Sequence, residues 1–190
     1  MTTIVGLEHK GVVYMGGDSM ASNGANSDPT ALSKVFMRTV AHEDDTTSQF
    51  LIGYTSSFRM GQILQHHLTV RPQADQESVE TYMVIEFIEA VRDCLKTKGY
   101  TTVYNNTETA GTFMVGYRGT LWTVYDDFQV NRYARPYNAV GAGCDFALGA
   151  MTALKNLSPE KRIHRALEIA SDLSSTTRPP FVIRSTGEIA

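Results

Sequence analysis

The feature that most constrains this chain is the order in which its hydrophobic period changes. Strands joined by short turns come first, then two helices, then strands again, then two more helices and a last strand. Thr3 to Glu8 reads as a strand, and His9-Lys10-Gly11 is a turn signal. Gly11 to Gly17 encloses Val12, Val13, Tyr14 and Met15, a short apolar run bounded by glycine and hence a buried strand. Residues 19–32, rich in Ser, Asn, Ala and Gly, read as a loop. Lys34 to Val40 and Gln49 to Tyr54 are two more strands across a polar connection. Phe58 to Leu68 then predicts a helix. Gln76 to Lys98 predicts a longer one, with Val79, Met83, Phe87, Ala90 and Cys94 on one stripe and Val84, Ile88, Val91 and Leu95 beside it. Thr112 to Tyr117 and Leu121 to Tyr125 flank the hairpin signal Arg118-Gly119, and Tyr137 to Val140 adds a strand. Helices follow from about Asp145 to Lys155 and from Ser158-Pro159, a serine cap with proline at the first helical position. Phe181 to Arg184 is the last strand. Sequential strands imply antiparallel sheets, and helices segregated in pairs imply outer layers. The pattern predicts an α+β chain folded as a four-layer αββα sandwich, one domain over residues 1–190.

Charge and composition exclude several function classes. The 190 residues carry 17 Lys+Arg against 20 Asp+Glu, and the pI is about 5.9. Without a basic stripe, nucleic acid is not an expected partner; Arg132 and Arg135 are isolated and read as solvated. No apolar run approaches the ~20 residues of a membrane span, and no signal peptide is visible. Cys94 and Cys144 have no CxxC partner, so neither zinc nor a disulfide framework is predicted; reduced thiols suit a cytoplasmic protein. His66 and His67 are adjacent and do not share a helix face, so they read as exposed polar residues.

The residues that carry chemistry begin at "MTT". With Met1 removed, Thr2 has both a hydroxyl and a free α-amine, and an α-amine of pKa about 7.7–8 is a serviceable base. Asp18 closes a buried strand behind two glycines, where a carboxylate needs a cationic partner. Lys34, in "SKVF", is the next lysine beyond the loop and stands at the start of a strand. An ammonium beside Thr2 lowers the pKa of its hydroxyl and amine. At the mouth of a sheet this lysine is expected to contribute little to packing.

In this arrangement the chain resembles the proteasome β-type subunits, most of all the bacterial HslV peptidase. "TTIV" resembles that peptidase's mature start, "GGDSMAS" its small-small-Asp motif and "SKVF" its lysine strand. Asp18 follows Thr2 by 16 positions and Lys34 follows it by 32, the family's own spacing. The resemblance runs over most of the chain and implies an N-terminal-nucleophile hydrolase of the threonine peptidase kind, with Thr2 as nucleophile. It puts Ser56 of "FLIGYTSSFRMG" where the family has an oxyanion-hole glycine, and Tyr54 at the substrate pocket that holds the side chain before the cut bond. In "VGAGCDFALGAM" a family serine is replaced by Ala142, with Cys144 two residues on. Asp172 matches the family's second aspartate, which would hold the Thr2 amine region. The carbonyls of Ser171, Ser174 and Thr177 match those that bind a monovalent cation, Na+; no organic cofactor is implied. Implied partners are peptides or unfolded protein, further copies in a homo-oligomeric ring stacked as a double hexamer, and an ATPase unfoldase.

Two other readings of the same fold stay open. One is a non-catalytic ring or scaffold subunit, favoured by Ala142 and Ser56. The other is a small-molecule amide hydrolase, against which the Asp18 and Lys34 spacing speaks.

Overall fold

Residues that alternate along a strand divide here between two apolar environments, because both main sheets are covered on both faces. The structure, a computed structural model, describes residues 2–22 and 26–187. The first sheet joins β1 (Thr3–His9), β2 (Val12–Gly17), β12 (Tyr137–Gly141) and β13 (Val182–Ser185) in the order β12-β1-β2-β13, every pair antiparallel. The second joins β5 (Val35–Ala41), β6 (Thr47–Tyr54), β9 (Phe113–Tyr117), β10 (Thr120–Val124) and β11 (Val130–Asn131) in the order β11-β10-β9-β6-β5. Helices α3 (Cys144–Ala153) and α4 (Pro159–Leu173) cover the first sheet; α1 (Phe58–His67) and α2, residues 79–97, cover the second. This is the four-layer αββα sandwich expected from the order of periods.

Three apolar clusters fill the three interfaces between four layers. Ile4, Val13, Met15, Val35, Leu51, Met114, Leu121 and Val140 lie between the sheets. Their strand neighbours point the other way: Val5 and Leu7 meet Ile163, Ala166, Leu167 and Ala170 of α4, while Phe50, Ile52, Phe113 and Val115 meet α1 and α2. Each of the larger aliphatic side chains, fully buried, contributes roughly 1.5–3 kcal/mol. Phe50 and Tyr117 stack at 4.6 Å and Tyr82 and Tyr117 at 5.4 Å, adding about 0.5–1.5 kcal/mol per pair.

Three local features differ from expectation. Residues 20–22 and 27–29, read as loop, form a small ribbon, β3 (Met20–Ser22) with β4 (Ser27–Pro29). A second ribbon, β7 (Thr102–Tyr104) with β8 (Thr107–Thr109), turns on Asn105 and Asn106, both at positive φ, which asparagine tolerates better than most residues. Helix α2 contains a π-helical stretch, Tyr82–Phe87. The wider turn rotates Val84 and Ile85 out to solvent while Met83, Phe87, Ile88, Val91 and Leu95 stay buried, so Val84 leaves the predicted apolar stripe. At α4, Pro159 stands at the first helical position as expected, but Ser158 makes no side-chain cap bond. Among the described residues no helix is long and apolar enough to cross a membrane, and no cluster of His, Cys, Asp and Glu could hold a metal ion.

Candidate active site

Strand β1 places Thr2 and Thr3 at the edge where β2 ends, and the antiparallel pairing with β2 sets Ile4 opposite Gly17. Asp18, the next residue, therefore lands beside the start of the chain. Its Oδ1 accepts the Thr3 N–H at 3.0 Å and Lys34 Nζ at 3.1 Å, and its Oδ2 accepts the Met20 N–H at 3.0 Å. Lys34 Nζ also donates to the Met20 carbonyl at 2.6 Å. Asp18 is 1% exposed and Lys34 2%. Lys34 is thus one of the largest fully buried side chains, which corrects the expectation that it adds little to packing. Strand β5 begins one residue later, and its pairing with β6 fixes the lysine backbone through the Tyr54 N–H bond to the Lys34 carbonyl at 3.1 Å. Burial pushes the Lys34 pKa down, and the attraction and hydrogen bond of Asp18 oppose that shift.

The carbonyl of Thr2 is held from the other side, by the Ala142 N–H at 2.8 Å. Between them stands Gly141, at φ +98°, where a Cβ would run into the Thr2 carbonyl. Only glycine permits both that backbone and that approach. Thr3 Oγ1 and Thr177 Oγ1 are hydrogen-bonded at 2.5 Å, and both residues are fully buried. Thr2 itself is 7% exposed, and Met1 lies outside the described residues.

Ser56 follows β6 at φ +63°, a conformation that fits a position where a glycine is expected. The Ser57 N–H bonds back to the Thr55 carbonyl at 2.7 Å, closing a tight turn, and Ser57 Oγ then caps α1 by accepting the Arg59 N–H at 3.1 Å. Ser56 Oγ accepts the Thr112 N–H at 3.1 Å, which holds the turn in place. Ser56 is exposed, and among the described residues its own N–H has no acceptor. The methyl of Thr55 faces Gly141, so this turn adjoins the Thr2 carbonyl. Tyr54 is buried, tilted edge-on to Phe58 at 6.1 Å and laid against Gly61, where any side chain would strike its ring. Burial pushes its hydroxyl pKa up to about 12.

Among the described residues, the side chains of the other predicted residues make no hydrogen bond to Thr2. Asp172 is exposed and has no hydrogen-bond or ion-pair partner among the described residues. It shares a surface depression with His164, Arg165, Glu168 and Phe181. Two positions past buried Ala170, it is turned about 200° around α4 away from the packed face, which corrects the expectation that it holds the Thr2 amine region. Ala142 is exposed and offers only its N–H. The Cys144 thiol turns to Asp145 Oδ1 at 3.7 Å, and burial followed by the charge of Asp145 pushes its pKa up, the opposite of an activated thiol. It lines a cavity of about 380 Å³ with Thr55, Thr112, Tyr125 and Tyr133. The carbonyls of Ser171, Ser174 and Thr177 do converge, on Arg178 Nη1, at 3.0, 3.1 and 2.9 Å.

Sequence reasoning missed Thr3, the hydroxyl of Thr177, the Met20 carbonyl and Arg178. The doubled threonine was a visible signal for the first. The others depend on a fold-back of the segment after α4 that no local pattern announces.

Chemically, the cluster supplies a buried ammonium joined through Asp18 Oδ1 to the Thr3 N–H, a fixed Thr2 carbonyl and, in the adjoining turn, an unengaged Ser56 N–H. No protein-family model and no curated protein matches this chain. Solved structures do. BPH from Thiobacillus denitrificans, in complex with epoxomicin, is 18% identical with TM-score 0.73, covering 97% of this chain and 98% of its own. HslV from Trypanosoma brucei is 18% identical with TM-score 0.62 over 97% and 98%. Anbu, an ancestral beta-subunit from Yersinia bercovieri, is 9% identical with TM-score 0.65 over 97% and 81%. At these identities the likeness is one of fold, and the chain is built on the fold that HslV and Anbu share.

Proposed function

We propose that this protein is a threonine endopeptidase whose nucleophile is Thr2 once Met1 is removed. The observation that carries the reading is the buried Asp18–Lys34 pair, bonded through Asp18 Oδ1 to the Thr3 N–H. A buried ion pair is seldom a gain in stability over apolar residues of the same volume, so a pair set against the first residues of the chain is better explained by chemistry. The free Thr2 amine, through a water, takes the hydroxyl proton as Oγ adds to a peptide carbonyl. Lys34, oriented by Asp18, stabilises negative charge on Oγ. The Ser56 N–H donates to the oxyanion of the tetrahedral intermediate. Collapse expels the amine half of the substrate, protonated by the Thr2 ammonium, and leaves an acyl ester on Oγ. Water, deprotonated by the same amine, then hydrolyses the ester. By the resemblance to HslV, Tyr54, whose ring packs on Phe58 and against Gly61, would border the pocket for the side chain before the cut bond.

The same reading places the protein in the cytoplasm as a ring, a double hexamer first and heptamers second, served by an ATPase unfoldase. Support comes from the fold shared with HslV and from the complex of the Thiobacillus protein with epoxomicin. A non-catalytic ring subunit is the second reading, favoured by exposed Ala142 and by Asp172 turned away from Thr2. Fluorogenic peptides assayed beside acyl-amino compounds, on protein whose first residue is established by intact mass, separate the readings. Peptide hydrolysis only by chains beginning at Thr2 supports the endopeptidase. Preference for acyl-amino compounds supports a small-molecule amidase, and no turnover supports the scaffold.

A further inference from the structure

The last carbonyls of an α-helix have no partner within the helix and carry the negative end of its dipole. At the end of α4 two such oxygens, those of Ser171 and the capping Ser174, face one point together with the carbonyl of Thr177 in the segment after the helix. That point is taken by Arg178 Nη1, at 3.0, 3.1 and 2.9 Å. Nη1 has two protons, so at least one of them is shared between two of the three acceptors. A guanidinium nitrogen is positively charged at every accessible pH. The resemblance drawn from the sequence implies a monovalent cation on these same carbonyls, and the arrangement does not fit one, because the chain's own cation already uses all three oxygens.

We infer that Arg178 is a built-in cation that closes the C-terminus of α4 in place of a bound monovalent ion and so positions the segment behind Thr2. The connection to the site is short. The Arg178 carbonyl accepts the Ser19 N–H at 3.2 Å, next to Asp18. The preceding residue, Thr177, shares its hydroxyl bond with Thr3. A tether from α4 to residues 177 and 178 therefore sets the back wall of the Asp18 centre. Arg178 is a positioning residue; it touches no reacting atom. The inference concerns this tether and stands whether or not the protein proves to be a peptidase.

Its test reads stability and ion density, not turnover. Thermal unfolding of the full-length protein is measured in NaCl, KCl and choline chloride at equal ionic strength. Wild type is expected to unfold at the same temperature, within about 1 °C, in all three. Arg178→Ala in choline is expected to fall by about 2–6 °C and to regain much of that loss in NaCl or KCl. Arg178→Lys, whose ammonium can serve the same oxygens, is expected to stay near wild type and keeps the test open if the alanine variant does not fold. Crystals soaked in rubidium or thallous salt are expected to show no anomalous peak among the three carbonyls in wild type. Such a peak, or a wild type stabilised by Na+ over choline by more than about 2 °C, overturns the inference. So does an Arg178→Ala protein as stable as wild type, or one that no monovalent cation rescues.

Discussion

The two sides of the Thr2 site are built in opposite ways. On the sheet side, Asp18 and Lys34 are almost wholly buried and tied to backbone groups of Thr3 and Met20. On the helix side, Ala142 and Asp172 are exposed, and the guanidinium of Arg178, also exposed, bonds to carbonyls of α4 and the segment after it. The sheet side therefore holds charge where water cannot screen it, which is where an electrostatic effect on a hydroxyl is largest. The helix side supplies shape: the Thr177 hydroxyl on Thr3 and the Ala142 N–H on the Thr2 carbonyl. Changes on the first side should alter both folding and chemistry, and changes on the second should touch stability at most.

The most severe way to break the contrast is Lys34→Ala. It leaves the Asp18 carboxylate buried with only the Thr3 and Met20 N–H groups, and should cost about 3–5 kcal/mol of stability as well as all measurable turnover. Lys34→Met, which fills the volume, should unfold less readily than the alanine variant and be equally inactive. Urea unfolding with a peptide assay on the folded fraction reads both. An active, folded Lys34→Met protein would show that charge at this position is dispensable.

The pH dependence follows from the same burial. Because desolvation lowers the Lys34 pKa in the folded state, the ammonium loses its proton below the ~10.4 of an unfolded lysine. Between the two values the unfolded chain binds more protons, so this group's contribution to stability rises with pH while the active charge is lost. Activity should fall about tenfold per unit on an alkaline limb that begins below the pKa of an unfolded lysine, in a window where the same group does not weaken the fold. Parallel pH profiles of turnover and of unfolding free energy check this, and a limb that tracks unfolding contradicts it.

Ser56 stands between the two sides and should show a smaller effect. Ser56→Gly removes the strain of φ +63°, about 1–3 kcal/mol, but loses the bond from the Thr112 N–H, about 1 kcal/mol. Stability should change by no more than about 2 kcal/mol, and activity should persist, since the backbone donor is kept. A hundredfold loss of kcat in folded Ser56→Gly would mean that the serine hydroxyl, not the N–H, serves the reaction.

The positions of Asp18 and Lys34 were legible because strand pairing converts a fixed sequence spacing into proximity, and the layers were legible because glycine-bounded apolar runs and helical stripes alternate in blocks. Lys34's burial was not, since it arises from groups separated in sequence: the Asp18 carboxylate, the Met20 carbonyl and the Phe58 ring. The π-helical stretch escaped because Tyr82–Phe87 has no proline or glycine to announce it. Asp172 was misplaced because a one-dimensional match says nothing of which way a helix face turns, and Arg178 was overlooked because its partners are carbonyls, which every residue has.

The smallest effect is expected at Asp172. With no partner among the described residues, Asp172→Ala should shift stability by less than about 0.5 kcal/mol and turnover by less than threefold. Thermal unfolding and steady-state kinetics check both, and a large loss of kcat without unfolding would restore Asp172 to the site.

The central claim is that Thr2 becomes the nucleophile when it is the first residue. Purified chains beginning at Thr2 and chains retaining Met1, each verified by intact mass, are incubated with an epoxyketone peptide and analysed by intact mass and peptide mapping. The account predicts one adduct per chain, on Thr2, in the first population and none in the second, where the Thr2 nitrogen is an amide. Equal labelling and equal peptide hydrolysis by chains that retain Met1, or no labelling of folded chains that begin at Thr2, would contradict it.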